Sequence, residues 1–179
     1  MNGNKNKNDT KRLAVCAMLA ALGVVLLYLG AVLQVLDISM AVVASLTCVI
    51  AVIEYGKGAP WAIYGVTSIL ALILLPIKAP AIYYALFFGF YPILKEKFEK
   101  QRKLICWVLK EIVFNVCLVA LGFITVFFAT AGENELFSSY PLLAAFIALA
   151  EVVFIVYDIA LTRLISFYII SLRNRFKFK

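Results

Sequence analysis

The sequence predicts an all-α integral membrane protein: six transmembrane helices, both termini cytoplasmic, and one transmembrane domain over residues 1–179. Three observations predict it. Hydrophobic residues make up 65% of the chain and charged ones only 15%, far from the balance of a soluble domain. The apolar residues gather into six runs, and all but the first of the breaks between them are marked by Gly, Pro or a dense charge run. Lys and Arg crowd into alternate breaks, as the positive-inside rule requires.

Each run can be justified in order against the roughly 20 helical residues that cross a hydrocarbon layer of about 30 Å. Residues 1–11 are polar and basic and are expected as a disordered cytoplasmic N-terminus. The first run, near 12–33, is longer than a signal-peptide core and leads to no small-residue cleavage site, so it reads as a retained spanning helix. Gln34 to Asp37 end it, and the second run occupies 38–54. Glu54 to Pro60 separate that from a third near 59–75, and Pro76 to Pro80 from a fourth near 80–94. The fourth is the shortest, with about 21 Å of helix. A basic cytoplasmic loop, 95–103, precedes the fifth run near 104–130. Gly132 to Pro141 lead into the sixth, near 142–172, whose length of about 46 Å requires it to project or bend. A basic tail, 173–179, follows.

Orientation comes from counting. With the N-terminus inside, fourteen Lys and Arg near helix ends fall on the cytoplasmic side: Lys5, Lys7, Lys11, Arg12, Lys57, Lys95, Lys97, Lys100, Arg102, Lys103, Arg173, Arg175, Lys177 and Lys179. Only Lys78 falls outside. The net charge of +7 is thus explained by topology and by contact with membrane lipid, not by nucleic acid. Cys16, Cys48, Cys106 and Cys117 all lie in apolar runs, and the absence of histidine leaves nothing to complete a metal set, so they read as free buried thiols with no metal or cofactor.

Ionisable groups at bilayer depth are costly and each calls for a partner or a role. Lys110 and Glu111 in the fifth run lie level with Asp158 and Arg163 in the sixth when the two helices run antiparallel, and opposite charges at matching depth predict intramembrane ion pairs. Glu151 has no cation predicted opposite it and shares a helix face with Asp158. It is a candidate ligand-binding carboxylate, or else a carboxyl kept neutral by desolvation. Around the outer rim, Gln34 and Asp37 in the first loop, Lys78 in the second, Tyr83 and Tyr84 at the start of the fourth helix and Tyr140 in the third loop join it as candidate substrate-binding residues. Interfacial tyrosines also serve as membrane anchors.

The first run spends many positions on small residues. Ala14, Ala17 and Ala21 share one narrow face, while Cys16, Ala20 and Gly23 lie almost opposite. Small residues four apart let helix backbones approach closely, and in lipid such packing drives association. Two small faces imply two sets of neighbours, one of which can be the chain's own bundle. The stretch Thr10-Lys-Arg-Leu-Ala-Val-Cys-Ala17-Met-Leu-Ala20-Ala21-Leu-Gly-Val-Val, with the chain length and six crossings, resembles the substrate-binding S components of energy-coupling factor (ECF) transporters. In that family an Ala-x-x-x-Ala motif of helix 1 docks on a transmembrane coupling subunit, and Ala17-Met-Leu-Ala-Ala21 is similar to it in type and place. The resemblance implies an S-component-like bundle in the cell membrane. It implies capture of a vitamin-like micronutrient on the outer side, and transport through one coupling subunit and two ATPases. The chain itself lacks a G-x-x-x-x-G-K-[ST] loop, as expected of a subunit with no nucleotide site.

Three other readings compete with this one. An enzyme is disfavoured because, without histidine, a Ser-His dyad, an H-E-x-x-H zinc site and an imidazole base are all excluded. Glu151 and Asp158 are separated by about 10 Å along one helix, too far to share a proton. A self-sufficient small secondary transporter or channel, and a ligand-free membrane assembly factor, remain as alternatives.

Overall fold

The computed structural model describes residues 3–56, 58–128 and 140–172, with side chains described over 10–56, 58–125, 141 and 144–170. Among them every regular element is helical: α1 (Gly3–Leu33), α2 (Asp37–Tyr55), α3 (Ala59–Leu74), α4 (Ala79–Tyr83), α5 (Tyr91–Phe98), α6 (Lys103–Phe128) and α7 (Tyr140–Phe167). A π-helical turn, Tyr84–Phe88, continues α4, and another, Tyr168–Leu172, ends α7.

Among the described residues four helices are long and apolar enough to cross a membrane, over Thr10–Leu33, Asp37–Tyr55, Lys103–Thr125 and Ala144–Ile170. Their large apolar side chains are widely exposed: Met18 at 70%, Leu104 at 82% and Phe123 at 78%. A water-soluble protein does not present apolar surface on this scale. The chain is therefore a membrane protein of all-α class.

The third and fourth expected crossings differ from the others. Helix α3 has 16 residues, about 24 Å, and is apolar but short. The run expected near 80–94 is broken into α4, the π turn and α5. Pro80 sits in the first turn of α4 and Pro92 in the first turn of α5, where a missing N–H costs nothing. Between them Gly89 occupies a point of close approach: a Cβ there would lie 2.6 Å from the Tyr64 ring and 2.8 Å from that of Tyr84. The N-terminal tail differs too. Residues 3–11, expected as disordered, continue α1, since adding a residue to an established helix gains a hydrogen bond without a new nucleation cost. Lys57, residues 129–139 and the tail 173–179 lie outside the described residues.

The chain divides into two compact units, Met1–Leu121 and Gly122–Lys179. In the first, α1, α2 and α3 pack through small residues. Helix α1 buries Ala20, Gly23, Leu27, Gly30 and Ala31, and α2 buries Ala41, Ala44, Ser45, Cys48 and Ala51. Helix α3 adds Ile63, Thr67 and Ala71. The spacing of three and four places each set on one helix face. Gly23 is a point of close approach, since a Cβ there would be 3.0 Å from Thr67 Cγ2 and 3.3 Å from Thr47 Oγ1. Gly30 plays the same part near the end of α1, 2.9 Å from Met40 Cβ by the same measure. Two hydroxyls on these faces reach backbone carbonyls. Thr47 Oγ1 donates to Ala44 O at 2.8 Å, whereas Thr67 Oγ1 crosses to Ala20 O at 3.4 Å. At the other end, the Arg12 guanidinium donates to Tyr55 O at 3.0 Å and lies over the Tyr55 ring, tying the N-terminal half of α1 to the end of α2.

In the second unit α7 carries a buried stripe of Phe154, Tyr157, Asp158 and Leu161. Thr162 and Ser166 donate back to the Asp158 and Thr162 carbonyls at 2.8 and 2.9 Å.

Candidate functional site

The turn from α1 to α2 opens a cleft of about 250 Å³ lined by Gln34, Val35, Asp37, Ile38, Ser39 and Tyr83. Its floor is set by the way α1 ends. Gln34 adopts φ 55°, the left-handed conformation that terminates a helix, and its N–H donates to Gly30 O at 3.0 Å. A residue with a side chain in this conformation costs about 1 kcal/mol that Gly would avoid. Gln here places an amide at the cleft instead. Val35 N–H then donates to Leu33 O at 2.6 Å, which closes the turn and brings Asp37 in as the first residue of α2. Tyr83, half-buried, arrives from the end of α4.

Three of the sequence-predicted binding residues, Gln34, Asp37 and Tyr83, are thus brought together. The others lie elsewhere. The Lys78 ammonium donates to Leu75 O at 2.6 Å and Ile73 O at 3.5 Å, capping the carbonyl end of α3. Tyr84 points the other way from its neighbour and is fully buried, its hydroxyl 3.1 Å from Cys48 Sγ. Glu151, half-buried, stands on the second unit's α7, one turn before Phe154 and two before Asp158. Tyr140 begins α7, and its side chain lies outside the described residues. Val35, Ile38 and Ser39 complete the cleft and were not singled out by sequence. Their position beside Gln34 and Asp37 is the signal that was available.

The expected coupling face is at the surface. Ala14, Ala17 and Ala21 are exposed, while Ala20 and Gly23 are buried and Cys16 half-buried. Exposure continues along the same side of α1 through Val25, Tyr28 and Val32.

Of the four residues expected in ion pairs, Lys110 and Asp158 are buried, Glu111 is half-buried and Arg163 is exposed. Within the first unit the Lys110 ammonium lies 3.7 Å from Glu99 and over the Trp107 ring. Glu99 also receives Lys95, at 3.4 Å. Lys95 is only 1% exposed, which the sequence did not reveal because it sits in a basic run expected as loop. Its spacing from Tyr91 and Pro92, both buried on α5, puts all three on one helical face. All four cysteines are free, three of them buried.

The chain matches no family model, no curated protein and no solved structure.

Proposed function

We propose that the chain is the membrane-embedded substrate-binding subunit of an ECF-type importer, capturing a vitamin-like micronutrient at the cleft between α1 and α2. In this reading it crosses the cell membrane six times, with α3 and the broken segment 79–98 as the third and fourth crossings, and both termini are cytoplasmic. The cleft then opens outward. It is not an enzyme and requires no cofactor of its own. Its partners are a transmembrane coupling subunit and two ATPases, which supply the energy.

One observation carries the reading: α1 has two small-residue faces and uses only one of them in its own bundle. A helix that needed small residues merely to pack against α2 and α3 would carry Leu, Ile or Val on the opposite side, as α6 does at Val108, Ile112, Val116 and Val119. Ala14, Ala17 and Ala21 leave a flat strip against which another helix can lie closely.

Coexpression with the coupling subunit and ATPases of the host, followed by affinity purification, tests the proposal. The whole module should accompany the chain, and Ala17→Trp with Ala21→Trp should release it while leaving the chain folded. Recovery of the chain alone under all such conditions, or undiminished recovery of the module with both tryptophans present, overturns it.

A further inference from the structure

We infer that the α1–α2 cleft receives a positively charged organic group, an ammonium, with Asp37 as its counter-charge. This rests on the reading of the cleft as the capture site and names the class of compound captured.

Among the six residues lining the cleft Asp37 is the one ionisable at neutral pH as an anion, and no lysine or arginine stands among them. Its Oδ1 is buried and accepts no hydrogen bond. Among the described residues no cation lies within 4.0 Å of it, and Lys78, the one basic residue in the adjoining loop, is held at the Leu75 and Ile73 carbonyls. Nor does Asp37 act as a helix cap: α2 starts after Leu36 and has no side-chain cap bond. A carboxylate oxygen withdrawn from water with no donor is costly, and a donor brought by a ligand removes that cost.

The rest of the lining fits an ammonium better than the other candidates. Gln34, Ser39 and Tyr83 each offer a neutral oxygen acceptor, and the Tyr83 ring offers a π face to a cation. An anionic ligand would meet Asp37 with no compensating cation. A divalent metal would need six or more oxygens in a closed shell, which one carboxylate in an open cleft does not supply. The volume of about 250 Å³ lies below that of pockets that enclose whole drug-sized ligands, so the cleft holds a charged head with the remainder of the molecule outside it.

The test places a thiol in the cleft. Ser39, exposed on its lining, is replaced by Cys in the purified full chain. Its reaction rates with the cationic reagent MTSET (trimethylammonioethyl methanethiosulfonate) and the anionic reagent MTSES (sulfonatoethyl methanethiosulfonate) are measured. The rates of the parent chain are subtracted and the ratio is normalised to that of mercaptoethanol. The thiol's own reactivity enters both rates and cancels, leaving the charge preference of the cleft. One carboxylate at about 6 Å in a water-exposed cleft changes each rate about threefold in opposite directions, so the ratio should be about tenfold above that of the free thiol. Asp37→Asn should bring the ratio to within about twofold of unity, and Asp37→Glu should retain the preference. A normalised ratio near or below unity in the Ser39→Cys chain, or one that Asp37→Asn leaves unchanged, overturns the inference. The measurement uses no coupling partner. A cation-selective cleft on a chain that recruits no ATPase module would refute the importer and leave the ligand class standing, and the converse result would do the reverse.

Discussion

The two sides of α1 carry the same kind of residue and do different things. On one side Ala20, Gly23, Gly30 and Ala31 are buried, and each is small because a neighbouring helix occupies the space a larger side chain would take. On the other, Ala14, Ala17 and Ala21 are exposed, and nothing in the chain's own first bundle requires them to be small. The difference teaches that small residues in a spanning helix record where something packs, and that the bundle accounts for only half of what α1 records. Substitutions that add bulk separate the two sides, because their cost depends on what already fills the space.

The largest effect belongs at Gly23. A Cβ there is already at 3.0 Å from Thr67 Cγ2, and a leucine adds three more carbons that must displace α3 or α2. Gly23→Leu should destabilise the first bundle by about 3 kcal/mol, read as a lowered unfolding midpoint in detergent with SDS as denaturant. A variant as stable as the parent would show that α1 and α3 are not this close. Next in size is Thr67→Val, which keeps the shape of the side chain but removes the donor to Ala20 O. Its bond is long at 3.4 Å, and hydrogen bonds between spanning helices contribute modestly, so the expected loss is about 0.5 kcal/mol in the same assay.

Gly65 gives the opposite sign within the same bundle. It lies in α3, and a Cβ there would meet nothing within 4 Å. Gly65→Ala should therefore be tolerated and should stabilise by up to about 0.5 kcal/mol through helix propensity alone. Gly23→Ala, by contrast, should be unfavourable. If the two alanine substitutions shift the midpoint in the same direction, the closeness of packing at Gly23 does not govern its identity.

The two faces of α1 were legible because helical spacing converts a list of alanines directly into directions around an axis. The cleft was legible in part for a similar reason: Gln34 and Asp37 are polar residues between two apolar runs, and such breaks gather at helix ends. What spacing does not give is which way adjacent aromatic residues turn. Tyr83 and Tyr84 look alike in sequence, yet one lines the cleft and the other is sealed against Cys48, because successive residues on a helix point about 100° apart. Lys95 was hidden by its company. In a run of lysines and glutamates each appears to belong to water, and only the turn of α5 separates the buried Lys95 from the exposed Lys97. The segment near 80–94 reads in sequence as one run, and its break at Gly89 and Pro92 was missed because the apolar residues continue across it; Gly89 is needed there because the Tyr64 ring lies close against it.

The smallest effect on the isolated chain should come from the largest side chains. Ala17→Trp and Ala21→Trp add an indole to positions that are already exposed, where no neighbouring helix has to move. Surface substitutions away from packed features usually shift stability by less than about 0.5 kcal/mol, so the unfolding midpoint should stay within that margin of the parent. The same two indoles would hold an approaching helix several ångströms off the strip that Ala14, Ala17 and Ala21 form, because close backbone approach is what small residues permit. An unchanged midpoint together with lost recovery of the coupling module would assign the exposed face to a partner. A large drop in the midpoint would instead place that face inside the chain's own packing, and the contrast between the two sides of α1 would disappear.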